Sequence, residues 1–552
     1  MIHRASRLTR RALVRRTAAA GAALALAACT PVTNTTPTVL PSPSLARRRG
    51  GTVTWAQWDK NDDVDPATPT GAASLEIIGN VLDTLILLDD DQKTYPLLAS
   101  DWSADAENKR FTFTLRQDVT FHDGSTLTAS AVKRTWERVL DPATKAAGVI
   151  GLFGPLDKIE APDARTVVVT FKEPYPFFPL QLWRPYFGIL SPKQLDELKP
   201  GQKVTAPIGS GPFKFVGRSA DGVVSLAANP DYKWGAGVLM NRATPYVDAL
   251  RLRAVTEPAT RVATLESGEN LMIDEVPEPD YARLKNDTRF TFVETVRRGI
   301  PVGFFINVQR PPTNELAVRQ AINWAIDRKS IVEKLFFGVH RASVGPLTPG
   351  VWSYLAELEN RYTYDPKKAQ QVLEDAGWKQ GSGVAREKGA QKLSLVLASF
   401  REPWSSIAEA IQSQVRAVGI DLQVQKMERG AYLDLIRSPE NKHNLAASAG
   451  GGFDPDQLRE RFHSAAVRIT NFSNLTDPQL DAMLEQGSRQ RLNSPERRKA
   501  YEDAQRRLMD LSPFVSVLTQ VRVEASAKKM HDLRMGPDGL NALPMSDVWL
   551  DA

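Results

Sequence analysis

The only cysteine of this 552-residue chain, Cys29, directly follows an alanine-rich apolar stretch near the amino terminus. A thiolate is a nucleophile, and a lone cysteine placed directly after an export-type segment is a site for lipid attachment. An ordinary buried cysteine is the alternative interpretation. With this thiol committed to a lipid, the body has no cysteine for a disulfide and must be stabilised by burying apolar surface.

The residues before Cys29 have the three parts of a signal peptide: a basic start, a short apolar middle and small residues at the cut. The apolar middle, from Thr17 to Ala28, has 12 residues, whereas a transmembrane helix needs ~20. Leu26–Cys29 resembles the lipobox of bacterial lipoproteins. The pair Arg10-Arg11 leaves open whether export is by the general or the twin-arginine route.

We therefore predict a signal peptide over 1–28 and a lipidated flexible tether over 29–50, because Thr30–Ser44 is rich in Thr, Pro and Ser. The predicted location is outside the cytoplasm, on the outer face of the cytoplasmic membrane or in the periplasm. Residues 1–49 hold nine arginines and no acidic residue, which leaves 61 basic and 64 acidic residues in the rest. The body thus has a net charge of about −3, and no nucleic-acid partner is predicted.

The sequence contains no nucleophile elbow, phosphate loop or His-Glu-x-x-His string. Ser526 and Lys529 have the Ser-x-x-Lys spacing of penicillin-binding enzymes, but the partner strings are missing. The six histidines lack ligand spacing, so we predict no enzyme, no cofactor and no metal site, while a metal chelate stays open as a ligand.

Residues 393–450 predict a βαβ unit in a soluble, mixed α/β body. Leu393–Ala398 and Ile420–Val424 read as parallel strands, and Trp404–Val418 reads as the crossover helix. If Leu445–Ala449 is a further parallel strand, the loops after two strands meet at one edge of the sheet, where ligands bind in such folds.

These two loops supply five candidate ligand-binding residues. Trp404 and Phe453 are expected to approach a common cavity, with core packing as the alternative for each. The glycine run marks either a close approach of the backbone or a plain turn. The candidates are Trp404, Gly450, Gly451, Phe453 and Asp454.

Several strings, in this order along the chain, resemble the family-5 extracellular solute-binding proteins of ABC transporters, which include oligopeptide-, dipeptide- and nickel-binding proteins. The resemblance covers roughly residues 50–552. The strings are Glu107–Arg116, Val119–Gly124, Gly209–Phe213, Asn229–Tyr232, Leu265–Glu269, Val318–Ala321 with Ala325–Arg328, and Tyr364–Pro366 with Ala376–Trp378.

The resemblance implies an α/β, two-lobed periplasmic-binding-protein-like fold of type II, in its large variant with an extra subdomain and a hinge between the lobes. The ligand would lie between the lobes. The implied domains are lobe I at 51–90, 205–300 and 513–552, an insert subdomain at 91–204, and lobe II at 301–512.

The sequence departs from the peptide-binding members at one position. Those members often carry an aspartate three residues before an Asp-Pro pair, where it pairs with the peptide's amino terminus. Here the Asp-Pro pair begins at Asp454, and Gly451 stands at the earlier position. Either another acid, such as Asp454, takes over, or the ligand is not an ordinary peptide; a structural role for Asp454 is favoured.

The two-lobe interpretation places three further candidates near the cleft. Trp58 and Phe304 would stack on a ligand, with core packing as the alternative, and Asn307 would donate either to the ligand or to a neighbouring strand. The predicted function is a lipid-anchored, monomeric receptor that captures a peptide-like solute for an ABC permease and its ATPase. An exported envelope hydrolase and a sensor that reuses the binding fold are the alternatives.

Overall fold

The computed structural model describes residues 47–69, 71–440, 442–539 and 543–551. Cys29, the predicted signal peptide and most of the predicted tether lie outside the described residues. No helix within the described ranges is both long and apolar enough to cross a membrane.

A seven-stranded mixed sheet forms the centre of the part that we call the first lobe. Its first strand, Thr52–Gln57, pairs in parallel with Ala249–Ala254 and Met272–Ile273. In spatial order the strands are Phe290–Val296, Val521–Ala527, Met272–Ile273, Thr52–Gln57, Ala249–Ala254, Val224–Ala228 and Phe213–Arg218.

A six-stranded sheet forms the centre of the second lobe. The predicted βαβ unit is confirmed: Ser394–Ser399 pairs in parallel with Asp421–Lys426, and helix Trp404–Arg416 connects them. Leu445–Gly451 is the further parallel strand. In spatial order the strands are Arg341–Ala342, Phe514–Thr519, Gly299–Ile306, Leu445–Gly451, Ser394–Ser399 and Asp421–Lys426.

A four-stranded antiparallel sheet lies within the predicted insert. Strand Arg110–Leu115 buries every second residue, as its alternating sequence predicts, and helix Ala129–Leu140 contributes Trp136 to the aromatic core beneath it. The strands are, in spatial order, Ala99–Ala104, Arg110–Leu115, Thr166–Phe171 and Leu156–Glu160.

The chain crosses between the two large sheets at two adjacent places. Residues 297–298 join Phe290–Val296 to Gly299–Ile306, and residue 520 joins Phe514–Thr519 to Val521–Ala527. The predicted return to the first lobe at 513 is therefore wrong by several residues. Strand Phe514–Thr519 is apolar on both faces because it is a buried strand of the second sheet.

The helices begin where the sequence predicts caps. Asp365 accepts from the backbone of Lys368 at 2.9 Å, and Ser494 accepts from that of Arg497 at 3.2 Å, each before a first-turn proline. These two caps begin helices Pro366–Asp375 and Pro495–Leu511. The other described helices of six or more residues not yet named are Ala72–Val81, Pro192–Glu197, Pro258–Glu266, Glu278–Leu284, Leu316–Ala325, Arg328–Phe336, Arg429–Arg437, Gln457–Phe462 and Pro478–Arg489.

Candidate functional site

Three neighbouring cavities, of about 300, 480 and 450 Å³, are all lined by Arg297 and Arg401. Arg297 lies at a crossing between the sheets, and Arg401 lies in the loop after strand Ser394–Ser399. The cavities of 300 and 450 Å³ are lined by residues of both lobes, whereas the 480 Å³ cavity is lined by second-lobe residues and Arg297. We call the three cavities together the cleft. Their volumes are in the range of small-molecule sites.

On the first-lobe side, Trp58 follows the first strand and is positioned by its backbone. Its backbone N–H donates to Oδ1 of Asp274 at 2.7 Å, and its half-buried indole lines two of the cavities. The indole N–H has no hydrogen-bond partner among the described residues. Trp58 therefore presents an aromatic side chain to the cleft from a fixed backbone.

A buried charge network lies behind Trp58. Burial raises the pKa of Asp274 to about 7, against the lowering effect of Arg522, whose guanidinium is 3.7 Å away. Burial alone lowers the pKa of Arg522, but the carboxylates of Glu524 and Asp274 outweigh it and hold that pKa above its ordinary value. Arg522 is thus neutralised by protein groups, although it lines the cleft.

On the second-lobe side, aromatic rings hold Arg401. Its guanidinium lies 4.7 Å from the ring centroid of Trp404 and 5.3 Å from that of Phe400. Phe400 in turn packs on Tyr432, with centroids 4.6 Å apart. Trp404, the first residue of its helix, is 3% exposed, and its indole N–H has no partner among the described residues.

Arg297 connects the two chain crossings. Its backbone N–H donates to the carbonyl of Gln520 at 2.9 Å, and its guanidinium donates to Oε1 of Gln520 at 2.7 Å. Burial lowers the pKa of Arg297, and the nearby charge of Arg401 lowers it further. A cation that lines all three cavities is therefore attached directly to the segments that join the lobes.

Phe304 and Asn307 lie in the interior of the second lobe. The side chain of Phe304 is fully buried in the main hydrophobic core of that lobe. The amide of Asn307 donates to the carbonyl of His443 at 3.0 Å and accepts from the backbone of Gln309 at 3.1 Å. Both side chains are engaged by the protein itself.

The glycine run ends a strand and starts a tight turn. Gly450 and Gly451 pair with Ile300 and Gly299 across the second sheet. The next residue, Gly452, has φ of 144°, and a Cβ there would lie 2.0 Å from the Gln457 amide nitrogen. The backbone conformation at 452 favours glycine, and a Cβ there would also displace the end of the Gln457 side chain.

Phe453 and Trp404 do not meet. Phe453 is 1% exposed and packs in the core of the insert, with its ring centroid 6.1 Å from that of Trp183. Its carbonyl accepts from the Gln92 side chain at 2.7 Å. The turn at Gly452 therefore directs Phe453 into the first lobe, away from the cavity that Trp404 lines.

Asp454 forms an ion pair with Arg497 at 2.7 Å and accepts from the backbone of Asp456 at 2.8 Å. The Arg497 side chain is fully buried. One carboxylate thus serves as the counter-ion of a buried cation and as a turn cap. It also lines a separate cavity of about 280 Å³ beside the insert.

The arginines of the cleft are the candidate functional residues that the sequence analysis did not identify. Arg401 lies in the loop after strand Ser394–Ser399, and the rule that ligands bind beyond the carboxyl ends of such strands is a signal for this residue. Arg297 had no such signal, because a basic pair at the end of a strand is ordinarily solvated.

The chain matches the family model described as bacterial extracellular solute-binding proteins, family 5 middle, over residues 93–467. It is 26% identical over 497 residues to the glutathione-binding protein GsiB of Pectobacterium atrosepticum, covering 88% of this chain and 92% of the relative. It is 28% identical over 477 residues to di/tripeptide-binding protein 1 of Pseudomonas aeruginosa, covering 82% and 85%.

The structure of HbpA2 from Haemophilus parasuis has the same fold. It superimposes with a TM-score of 0.80 at 24% identity, covering 91% of this chain and all of the other. At that identity the likeness is one of fold. It confirms the prediction of a two-lobed periplasmic-binding-protein-like architecture.

Proposed function

Because the chain belongs to the family-5 bacterial extracellular solute-binding proteins, we propose that it is a lipid-anchored receptor that captures a peptide-like solute in the cleft. It then delivers the solute to an ABC permease and its ATPase. The family is one of binding proteins rather than enzymes, so the solute leaves chemically unchanged.

The observation that carries this proposal is a cleft lined from both lobes. Trp58 and Glu275 line it from the first lobe, and Arg401 and Trp404 line it from the second. A solute bound there contacts both lobes at once, so its binding energy favours the arrangement in which the lobes are close. The two short crossings at 297–298 and 520 supply the hinge.

The peptide-like character of the solute is supported by the relatives. One is named for glutathione and another for di- and tripeptides. Trp58 and Trp404 are proposed to pack on the solute and exclude water, with neighbouring charged groups setting its orientation. Phe304, Asn307 and Phe453 are proposed to act indirectly, by holding the strands and the turn that carry the cleft.

The lipid anchor is supported by Cys29 and its signal-like flank. A tether keeps a receptor that has captured its solute close to the permease, and the receptor acts as a monomer at the outer face of the cytoplasmic membrane. Production of the full chain and its Cys29→Ser variant in a bacterial host tests the anchor. The unsubstituted chain should partition into the detergent phase of Triton X-114 and the variant into the aqueous phase; equal partition would contradict the anchor.

Binding is tested with glutathione and tri-alanine on a tag-free chain that lacks residues before Arg47. A saturating peptide should raise the melting temperature, because a ligand at 100 times its Kd adds about 2.7 kcal/mol to stability. Trp58→Ala should weaken binding by roughly tenfold. Trp102→Ala, in the four-stranded sheet of the insert, is the matched control and should bind normally.

The peptide should be recovered intact by mass spectrometry after incubation. Absence of any melting-temperature shift with both peptides would overturn the peptide-like assignment. Steady hydrolysis would overturn the receptor role itself and favour the hydrolase alternative. Ser526, the residue on which that alternative depends, is 3% exposed within a strand paired on both sides.

A further inference from the structure

We propose that the 480 Å³ cavity of the cleft selects a solute with at least two anionic groups, carboxylates or phosphates, on an apolar frame. We call it the arginine cavity, because Arg297, Arg401, Arg429 and Arg461 line it. This inference rests on the proposed function and specifies the charge class of its solute.

The positive charge of the arginine cavity is only partly balanced by the protein, because the charges of Glu275 and Glu460 act on Arg297 and Arg461 without a direct ion pair. Among the described residues, none of its four arginines forms an ion pair with a carboxylate. The one acidic residue in its described lining, Glu428, is exposed. Arg522 lines the adjoining cavity of the same cleft. Unlike these four arginines, it forms ion pairs with Glu524 and Asp274.

These arginines also repel one another. Burial lowers the pKa of Arg401, and the charge of Arg429 lowers it further. Arg401 has the same effect on Arg297, and burial lowers the pKa of Arg461. A guanidinium stays charged at neutral pH, so this unfavourable electrostatic energy persists until an anion enters. Planar guanidinium groups bind carboxylates and phosphates through paired hydrogen bonds.

Aromatic rings form the rest of the wall. Phe400, Trp404, Tyr432 and Phe472 line the same cavity. Trp404 and Phe400 hold the Arg401 guanidinium over their faces, which limits the conformational freedom that it loses when it binds an anion. A solute that fills this space therefore needs apolar surface between its anionic groups.

The end of strand Leu445–Gly451 offers no unpaired carboxylate among the described residues. The strand there ends in glycine at Gly451, and the nearest carboxylate along the chain, that of Asp454, is committed to Arg497. A solute with a free ammonium group gains no partner from these two positions. A solute with several anionic groups gains several cationic partners from the arginine cavity.

The test uses matched probes on the tag-free chain. Benzene-1,3,5-tricarboxylate and benzene-1,3-diyl bisphosphate are the anionic probes, and each has at least two anionic groups on an apolar ring. Benzene-1,3,5-tricarboxamide is the neutral counterpart of the first, and inorganic phosphate lacks the apolar frame. Calorimetry should show the tricarboxylate binding at least 30-fold more tightly than the tricarboxamide, with affinity falling as salt rises. Comparison with the bisphosphate distinguishes carboxylate from phosphate selection.

Two variants locate the effect. Arg461→Gln and Arg429→Gln should each lower the affinity for the tricarboxylate by at least tenfold. Arg416→Gln, exposed at the end of helix Trp404–Arg416, is the control and should have no effect. The solute-free Arg429→Gln protein should melt at the same temperature as the parent or higher, because a repulsive charge is gone; a misfolded variant would melt lower.

The outcomes separate the two proposals. Tight binding of tri-alanine, which has a single carboxylate, with no anionic probe bound, would overturn the anion selectivity and leave the receptor role standing. Preference for the tricarboxamide, or full anion affinity in both arginine variants, would also overturn it. If no peptide and no probe binds, the proposed function itself fails.

Discussion

Arg297 and Gln520 lie on the two segments that cross between the sheets, and they are joined by both a backbone and a side-chain hydrogen bond, at 2.9 and 2.7 Å. The same Arg297 side chain lines every cavity of the cleft. A solute that pairs with the Arg297 guanidinium therefore contacts a residue of the hinge directly.

Loss of the Gln520 side chain, which lines the 300 Å³ cavity and holds Arg297, should weaken solute binding. Gln520→Ala leaves the Arg297 guanidinium without its acceptor, and a hydrogen bond to a charged group contributes about 1.5–3 kcal/mol. Water replaces part of that, so we expect affinity to fall by roughly tenfold. Calorimetry measures it, with Gln425→Ala, on an exposed strand position, as control. Unchanged affinity would show that the contact does not position Arg297.

The buried ion pair between Asp454 and Arg497 should be a requirement for stability. Asp454→Asn leaves a fully buried guanidinium without its counter-ion, which costs about 3–5 kcal/mol. Urea unfolding measures this. Glu357→Gln breaks an exposed pair with Arg506 and should cost about 1 kcal/mol or less. A stable Asp454→Asn protein that no longer binds solute would instead assign Asp454 to ligand recognition.

Gly452 should not tolerate a side chain. Gly452→Ala places a side chain at a positive φ and displaces the end of the Gln457 side chain, so we expect about 1–3 kcal/mol of destabilisation. Gly430→Ala is the matched control, because a Cβ at this helical glycine meets no atom within 4 Å. That variant should be as stable as the parent or up to about 1 kcal/mol more stable. Equal stability of both variants would contradict the tight turn.

Asp83 should make stability depend on pH in a defined window. It is buried and accepts from Trp234 at 2.8 Å and Ser210 at 3.0 Å; burial raises its pKa from 3.8 to about 6. Between about pH 4 and 6 the folded protein keeps a proton that the unfolded chain loses. This contribution is therefore complete below pH 4 and is lost as pH rises, by up to about 1.4 kcal/mol per pH unit.

Urea titrations of the parent and Asp83→Asn from pH 4 to 7 isolate that contribution. The free energy of unfolding of the variant should fall less steeply with pH across the window. Asp62→Asn, at an exposed position, should follow the parent. Parallel curves for the parent and Asp83→Asn would mean that Asp83 is ionised throughout.

The local elements could be predicted from sequence because their signals are local. The Asp365 and Ser494 caps and the βαβ unit at Ser394–Lys426 depend on residues a few positions apart. The position of the lobe boundary was predicted with an error, since the apolar strand Phe514–Thr519 fits either sheet by pattern. Only its pairing with Gly299–Ile306, some 200 residues earlier, assigns it to the second sheet.

The cleft was predictable in part. The loop that carries Arg401 and Trp404 follows from the rule on strand ends. The direction of Phe453 does not, because it depends on the turn at Gly452 and on space in the insert core near Trp183. Whether an arginine is solvated, as Arg416 is, or lines a cavity, as Arg461 does, depends on contacts that the sequence does not encode locally.

Closure of the two lobes on a solute changes the distance between them, and that distance can be measured. The tag-free chain from Arg47 onward has no cysteine, so Asp62→Cys and Gln425→Cys, at exposed positions on the two lobes, can carry spin labels without further changes. Pulsed dipolar spectroscopy should show the label–label distance shortening and its distribution narrowing when the tightest-binding probe saturates the protein. An identical distribution with and without that probe would contradict the account.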